Sequence, residues 1–67
     1  MKDHEIEYYA NGNIWNEAYY IDDKLHRKDG PAVIEYNREG IITREEYWLE
    51  DMVYDDVFQW SVQVGSY

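Results

Sequence analysis

The feature that most constrains the fold of this chain is an internal repeat with a period of 28 residues, which aligns residues 5 to 26 with residues 33 to 54. Identical residues recur at this shift, among them Glu7 with Glu35, Tyr8 with Tyr36, Gly12 with Gly40, Ile14 with Ile42, Glu17 with Glu45, Tyr19 with Tyr47 and Asp23 with Asp51. A period of about 20 to 50 residues indicates that one supersecondary unit is repeated. The chain is therefore expected to contain two copies of one small unit.

Each copy has the pattern of a β-hairpin. Asn11-Gly12 lies between two runs of strand-forming residues and predicts a two-residue type I′ turn, which requires positive φ angles. The second copy has Glu39-Gly40 at this place, so a looser or longer turn is expected there. Between the copies, Asp22-Asp23 predicts a turn, residues 24 to 27 a short strand, and residues 28 to 31 another turn.

Alternation of side chains along each strand predicts one apolar, aromatic sheet face. We expect this face to form the core or a dimer contact. If Asn11-Gly12 is the turn, the members of this face are Ile6, Tyr8, Trp15, Tyr19, Ile21, Ile34, Tyr36, Ile41, Tyr47 and Leu49.

The predicted fold class is all-β, an antiparallel β-meander of about five to six strands. One domain is expected over residues 1–67, with repeat 1 at about residues 5–32 and repeat 2 at about residues 33–54. In the tail, Phe58, Trp60, Val62 and Val64 alternate as in a strand, whereas Val53, Val57 and Trp60 fit helical spacing. The β-branched and aromatic content favours a capping strand over residues 55–64.

The size of the chain argues for self-association. A chain of 67 residues buries only about 60% of its unfolded surface, and with no cysteine it cannot form disulfides. A single-layer sheet would leave its aromatic face exposed, and exposed apolar patches of that size mark association sites. Packing of two such faces in a homodimer is therefore expected.

The charge of the chain excludes several classes of partner. Six basic against fifteen acidic side chains give a formal net charge of −9, which repels nucleic acid and anionic lipid and favours basic partners. The same charge also keeps a small domain in solution without any binding role. No targeting signal or membrane-spanning run is apparent, so a cytoplasmic location without membrane contact is expected, in a host cell if the chain is phage-encoded.

The segment LHRKDGPAVIEY, residues 25 to 36, contains a recognisable motif. Together with YYANG before it and GIITREEYW after it, it resembles the MORN-like repeats with an L-H-R-x-D-G-P-A core, which occur in phage, bacterial and giant-virus proteins. The resemblance covers about residues 5 to 54 and implies a meander of antiparallel strands that acts as an interaction scaffold. It implies no reaction, and the second copy departs from it because no D-G-P-A string follows Tyr54.

Carboxylates are the abundant reactive groups, and an enzyme would need two of them in distinct environments. Glu17 and Glu45 are the candidates, but hydrogen bonds from tyrosine hydroxyls or pairing with a basic side chain are the simpler explanation of both. A turn motif is expected to brace the chain by hydrogen bonds rather than to act as an acid and base; it consists of His26, Arg27, Asp29, Gly30 and Pro31. No catalytic residue, metal site or cofactor is predicted.

The function expected from these observations is non-enzymatic protein binding. An acidic surface would contact a basic protein surface, as a small phage-type inhibitor of a host defence nuclease or helicase would by mimicking DNA. The predicted contact residues are Glu5, Glu7, Glu35, Glu46, Glu50, Asp55 and Asp56. One alternative is a nucleotide-signal sponge, with a local cluster of Lys24, His26, Arg27, Lys28, Arg38 and Arg44, and another is a structural accessory repeat protein.

Overall fold

The computed structural model describes residues 3 to 66. It contains one antiparallel sheet followed by a short helix, which confirms the predicted all-β meander. The elements are β1 (His4–Tyr8), β2 (Ile14–Ile21), β3 (Lys24–Leu25), β4 (Val33–Tyr36), β5 (Ile42–Leu49), β6 (Met52–Tyr54) and α1 (Val57–Val64). The strands are ordered β1-β2-β4-β5-β6, and β3 pairs with the end of β2. No helix among the described residues has the length and apolar character to cross a membrane.

The sequence repeat is also a repeat of structure. The bounds of β5 are those of β2 moved along the chain by the repeat period, and each hairpin has an irregularity in its register at the same place, between Glu7 and Tyr8 and between Glu35 and Tyr36. At these bulges one extra residue enters the longer strand, so strict alternation fails beyond them. The unit that is repeated is therefore a bulged hairpin followed by a short returning strand.

The type I′ turn expected at Asn11-Gly12 is wrong. The loop has three residues: the Gly12 N–H donates to the Tyr9 carbonyl (3.0 Å), the Tyr9 N–H donates to the Asn13 carbonyl (2.8 Å), and only Gly12 has positive φ, at 92°. This geometry is a type I turn closed by a glycine in the left-handed region. The asparagine instead accepts from the Asn13 N–H through Oδ1 (2.9 Å).

The second copy does not have a looser or longer turn, because its hydrogen bonds repeat those of the first. The Gly40 N–H donates to the Asn37 carbonyl (3.0 Å), and Asn37 Oδ1 accepts from the N–H groups of Glu39 (2.9 Å) and Ile41 (3.0 Å). Asn37 thus supplies the side-chain acceptor in this loop, as Asn11 does in the first copy.

Two-residue turns with positive φ angles do occur, at the next reversal of each copy. Asp22 and Asp23 have φ of 51° and 65°, and Glu50 and Asp51 have φ of 48° and 66°. Aspartate tolerates the left-handed region better than most residues. These turns make the tight connections from β2 to β3 and from β5 to β6.

The core lies on one face of the sheet, which we call the covered face. Cross-strand pairing places Ile6, Glu17, Ile34 and Glu45 on it in one row. A loop over residues 27 to 31 and α1 lie over this face: the Arg27 guanidinium carbon is 3.9 Å from the centre of the Tyr19 ring, and Trp60 packs on Tyr47 with 4.8 Å between ring centroids. The side chains under these segments are buried, namely His26, Ala32, Ile34, Leu49 and Trp60.

The predicted aromatic face agrees with the covered face only in part. Ile6, Tyr19, Ile34, Tyr36, Tyr47 and Leu49 are buried or half-buried. Tyr8, Trp15 and Ile21 are exposed. Ile41 is wrong, because it precedes β5 and is 62% exposed, and the bulge places Ile42 opposite Tyr36.

The capping strand predicted over residues 55–64 is wrong, because this segment forms α1. Asp56 caps the helix: it has extended backbone angles (φ −120°, ψ 121°), and its carboxylate accepts from the Phe58 N–H (2.9 Å). The Trp60 ring is held by the Tyr47 contact and by a hydrogen bond from Nε1 to the Arg27 carbonyl (3.2 Å). The alternation in the tail was therefore overridden by a tertiary contact of one side chain.

Candidate functional site: the open sheet face

The sheet face opposite the helix, which we call the open face, carries most of the predicted contact acids. Strand pairing brings them into two rows. In one row Glu7 pairs with Asn16, Asn16 with Glu35, and Glu35 with Arg44. In the other, Glu5, Ala18, Val33 and Glu46 lie side by side. Four of the predicted acids, Glu5, Glu7, Glu35 and Glu46, therefore share one face.

The open face is only partly neutralised by basic groups. Arg44 is the single basic residue on β1, β2, β4 and β5 apart from His4, which lies on the covered face. Its guanidinium is 2.7 Å from Glu46 Oε2, and the side chain is 62% exposed. Glu46 also accepts from the Trp48 indole N–H (3.1 Å). Glu7 and Glu35 have no ion pair with Arg44, so this arginine pairs with Glu46 and with neither of these two carboxylates.

The remaining predicted contact acids lie elsewhere. Glu50 is in the turn between β5 and β6, and its N–H donates to His26 Nδ1 (2.9 Å). Asp55 is exposed between β6 and α1. The Asp56 carboxylate is occupied by the helix N-terminus. The structure thus separates the predicted set into an open-face group and a group at the end of the sheet.

Glu17 forms the centre of a polar cluster on the covered face. It accepts hydrogen bonds from the Tyr36 hydroxyl and from His4 Nε2 (3.1 Å), and the His4 ring stacks on Tyr19 with 4.2 Å between centroids. The bond to Glu17 is the main cause that raises the pKa of Tyr36 to about 12; burial of the hydroxyl adds to this effect. A phenol that is harder to ionise is a poorer base or nucleophile at neutral pH.

The second copy does not reproduce this cluster. Glu45, which corresponds to Glu17, is exposed and has no hydrogen bond or ion pair with another described residue. The two carboxylates are also two strands apart, because Ile34 lies between them in the row. Glu17 and Glu45 are thus not brought together as a pair.

The turn motif joins the two repeats. His26 is buried, and its ring nitrogen Nδ1 is the acceptor for Glu50 already described. Arg27 holds the loop closed: Nε contacts Asp29 Oδ1 (2.9 Å), and Nη1 donates to the Pro31 carbonyl (3.0 Å). A Cβ at Gly30 would stand 3.2 Å from the guanidinium carbon, so an alanine there would require the Arg27 side chain to shift. Arg27 and Asp29 therefore brace the turn by hydrogen bonds, as predicted, whereas His26 accepts a hydrogen bond from Glu50 of the second repeat.

The basic residues of the alternative ligand site are dispersed. An open groove of about 470 Å³ has Tyr19, His26, Arg27 and Lys28 in its wall. Arg38 is at the other end of the sheet, 5.1 Å from the centre of the Tyr9 ring, and Arg44 is on the open face. Among residues 3 to 66, no three histidine, aspartate or glutamate side chains are grouped as metal ligands.

Sequence reasoning missed one contact of the open face: Trp48 lies beside Glu46 and donates to it. Trp48 has the same parity as Glu46 along β5, so alternation alone could have placed the two side chains on one face. The position of Arg44 opposite Glu35 required the register of the strands.

Comparisons with protein-family models, with curated proteins and with solved structures returned no match to this chain. The resemblance to MORN-like repeats therefore stays a prediction.

Proposed function

We propose that this chain is a non-enzymatic protein-binding module that presents its open face to a basic surface on a partner protein. One observation carries the proposal: Glu5, Glu7, Glu35 and Glu46 share the sheet face that α1 and the loop leave uncovered. A rigid sheet fixes the spacing of these carboxylates. Binding therefore needs little ordering of the chain, which favours affinity.

The electrostatics of the face support the same function. The chain has a net charge of −9, so the whole molecule attracts a basic partner, while Trp48 and Tyr20 add half-buried aromatic surface of the kind enriched at interfaces. Association steered by charge is fast at low salt and weakens as salt is added. An inhibitory role follows if the basic surface of the partner is its own nucleic-acid site, since the two would then compete.

The test compares two variants of equal charge. In the first, Glu7→Gln with Glu35→Gln removes two carboxylates from the open face. In the control, Asp22→Asn with Glu39→Gln removes two exposed carboxylates from turns, where neither side chain has a hydrogen bond with the described residues. Both variants and the native chain are immobilised, and basic proteins from a cell lysate are captured, identified and re-measured as purified partners.

We expect a specific partner to lose about tenfold or more in affinity with the open-face variant and less than about threefold with the control. Equal losses in the two variants would show that net charge alone causes the binding, and the proposal would then fail. It would also fail if affinity were unchanged between low and high salt.

A further inference from the structure

The two repeats differ in how the outer edge of their long strand is paired. The edge of β2 that faces the second repeat is paired along its length, with β4 beside Asn16 to Ala18 and with β3 beside Tyr20 and Ile21. The corresponding edge of β5 is paired with β6 only at Tyr47 to Leu49. No strand among residues 3 to 66 pairs with this edge at Arg44 to Glu46.

Alternate residues of a strand direct their backbone groups to opposite edges, which shows what faces this edge. The Tyr19 N–H donates to the Ala32 carbonyl (2.8 Å), so the odd-numbered residues of β2 direct their N–H and C=O groups toward the second repeat. Glu45 is the counterpart of the odd-numbered Glu17, so it directs its N–H and C=O away from β4. Beside them is a groove of about 540 Å³ whose wall includes Arg44, Glu45, Trp48, Tyr54 and Asp55.

The groove exists because the chain leaves the sheet after β6. In the first repeat the chain continues from β3 through the loop and returns as β4, whereas after β6 it forms α1. Trp60 then packs on Tyr47 as Arg27 packs on Tyr19. The helix thus replaces the loop over the covered face and leaves the place of the following strand vacant.

We propose that a second copy of this chain occupies the groove through its β1, so that copies associate head to tail in one continuous sheet. The strand that fills this place in the first repeat is β4, and β1 is its counterpart in the repeat. β1 is itself an edge strand, paired only with β2 in the described part of the chain. The register between β2 and β4 gives the register between the copies once it is shifted by the repeat period. Glu7, Ile6 and Glu5 of one copy then lie opposite Arg44, Glu45 and Glu46 of the other.

The tight turns provide a second contact with the same internal precedent. Within the chain, Asp51 docks on Leu25: its carboxylate accepts from the Leu25 N–H (2.7 Å), and its own N–H donates to the Leu25 carbonyl (2.9 Å). The counterpart of Asp51 is Asp23, which has the same backbone geometry, with φ of 65° against 66°. The counterpart of Leu25 is Val53 on β6. Asp23 of the copy that supplies β1 therefore docks on Val53 of the copy that supplies the groove.

Charge sets the conditions under which this contact forms. Across the contact, the Glu7–Arg44 pair is attractive and the Glu5–Glu46 pair is repulsive. The two pairs therefore largely cancel in their electrostatic contribution to association. Each chain has a net charge of −9, and the copies repel one another at low salt. Raising the salt from about 0.1 M to about 1 M shortens the screening length from about 10 Å to about 3 Å and removes most of this repulsion. Self-association thus strengthens with salt, whereas binding of a basic partner weakens.

The first experiment is sedimentation of the native chain up to about 1 mM, in about 0.1 M and about 1 M NaCl. Because a head-to-tail contact does not close on itself, the average mass is expected to rise past that of a dimer as concentration increases, and to rise further in high salt. A chain that stays monomeric in high salt overturns the proposal. A dimer of fixed mass also overturns it, because that result favours closed two-fold packing.

The second experiment fixes the register by disulfide cross-linking, which the absence of native cysteine makes clean. Chains with Glu7→Cys and chains with Arg44→Cys are mixed and oxidised. Directly opposite residues have Cβ atoms about 4.5–5.5 Å apart, close to disulfide geometry. The mixed dimer is expected to exceed either like dimer by about fivefold or more.

The matched control is Glu5→Cys mixed with Arg44→Cys, a pair on the same face but out of register, with Cβ atoms about 7–8 Å apart. Circular dichroism checks that each variant retains the native fold. Equal cross-linking in the matched and control mixtures overturns the proposed register. Neither experiment measures binding of a basic partner, so self-association can fail while that binding persists.

Discussion

Trp60 is the side chain whose removal should most damage this fold. It is 8% exposed, packs on Tyr47 and donates to the Arg27 carbonyl, so it fastens the helix, the sheet and the loop together. Replacement of a buried tryptophan by alanine costs about 3–5 kcal/mol. A chain of 67 residues has a total stability of roughly 3–10 kcal/mol at about 0.05–0.15 kcal/mol per residue. Trp60→Ala should therefore remove between about a third and all of the stability.

Two further variants separate the causes. Trp60→Phe keeps an aromatic ring on Tyr47 but removes the indole N–H, and we expect a loss of about 1–2 kcal/mol. Phe58→Ala, on the same helix but 77% exposed, should change stability by less than about 0.5 kcal/mol.

The measurement is urea unfolding followed by far-ultraviolet circular dichroism at low micromolar concentration, where self-association is minimal. The slope against urea should be unchanged in Trp60→Phe, since the same surface is exposed on unfolding. If Trp60→Ala were no more destabilising than Phe58→Ala, α1 would not be fastened to the sheet through this side chain, and the account of the tail would be refuted.

Three further predictions concern single contacts. Asp51→Ala should lose about 1–3 kcal/mol of stability in the dilute chain because it removes the acceptor of the Leu25 N–H, whereas Asp23→Ala, at the same turn position, should lose less; equal losses in urea unfolding would contradict this. The bond to Glu17 is the main cause that raises the pKa of Tyr36 from 10.0 to about 12, so this bond stabilises the fold below pH 10 and its contribution is lost between pH 10 and 12. The stability gap between the native chain and Tyr36→Phe should close over that window, and a constant gap would refute the prediction. Gly30→Ala should cost about 1 kcal/mol by displacing the Arg27 guanidinium, and this cost should largely vanish in an Arg27→Ala background; an additive double-mutant cycle would exclude the contact as the cause.

The sequence alone determined the architecture of this protein. The repeat period, the alternation along β2 and β5 and the turn-forming residues between them are local patterns, and they were sufficient for a two-copy antiparallel meander. Alternation also places Glu5 with Glu7 on one side of β1. That this side, the Glu35 side of β4 and the Glu46 side of β5 form one face depends on the pairing of the strands.

Tertiary structure decided the turn types, the tail and the open edge. The bulges in β2 and β5, opposite the ends of β1 and β4, moved Ile41 out of the predicted face, and the position of a bulge depends on pairing between strands. The tail had an alternating pattern, yet the contact of Trp60 with Tyr47 and the cap at Asp56 made it a helix. Because that helix takes the place of a returning strand, only the folded chain shows that no strand among residues 3 to 66 pairs with the edge of β5 at Arg44 to Glu46.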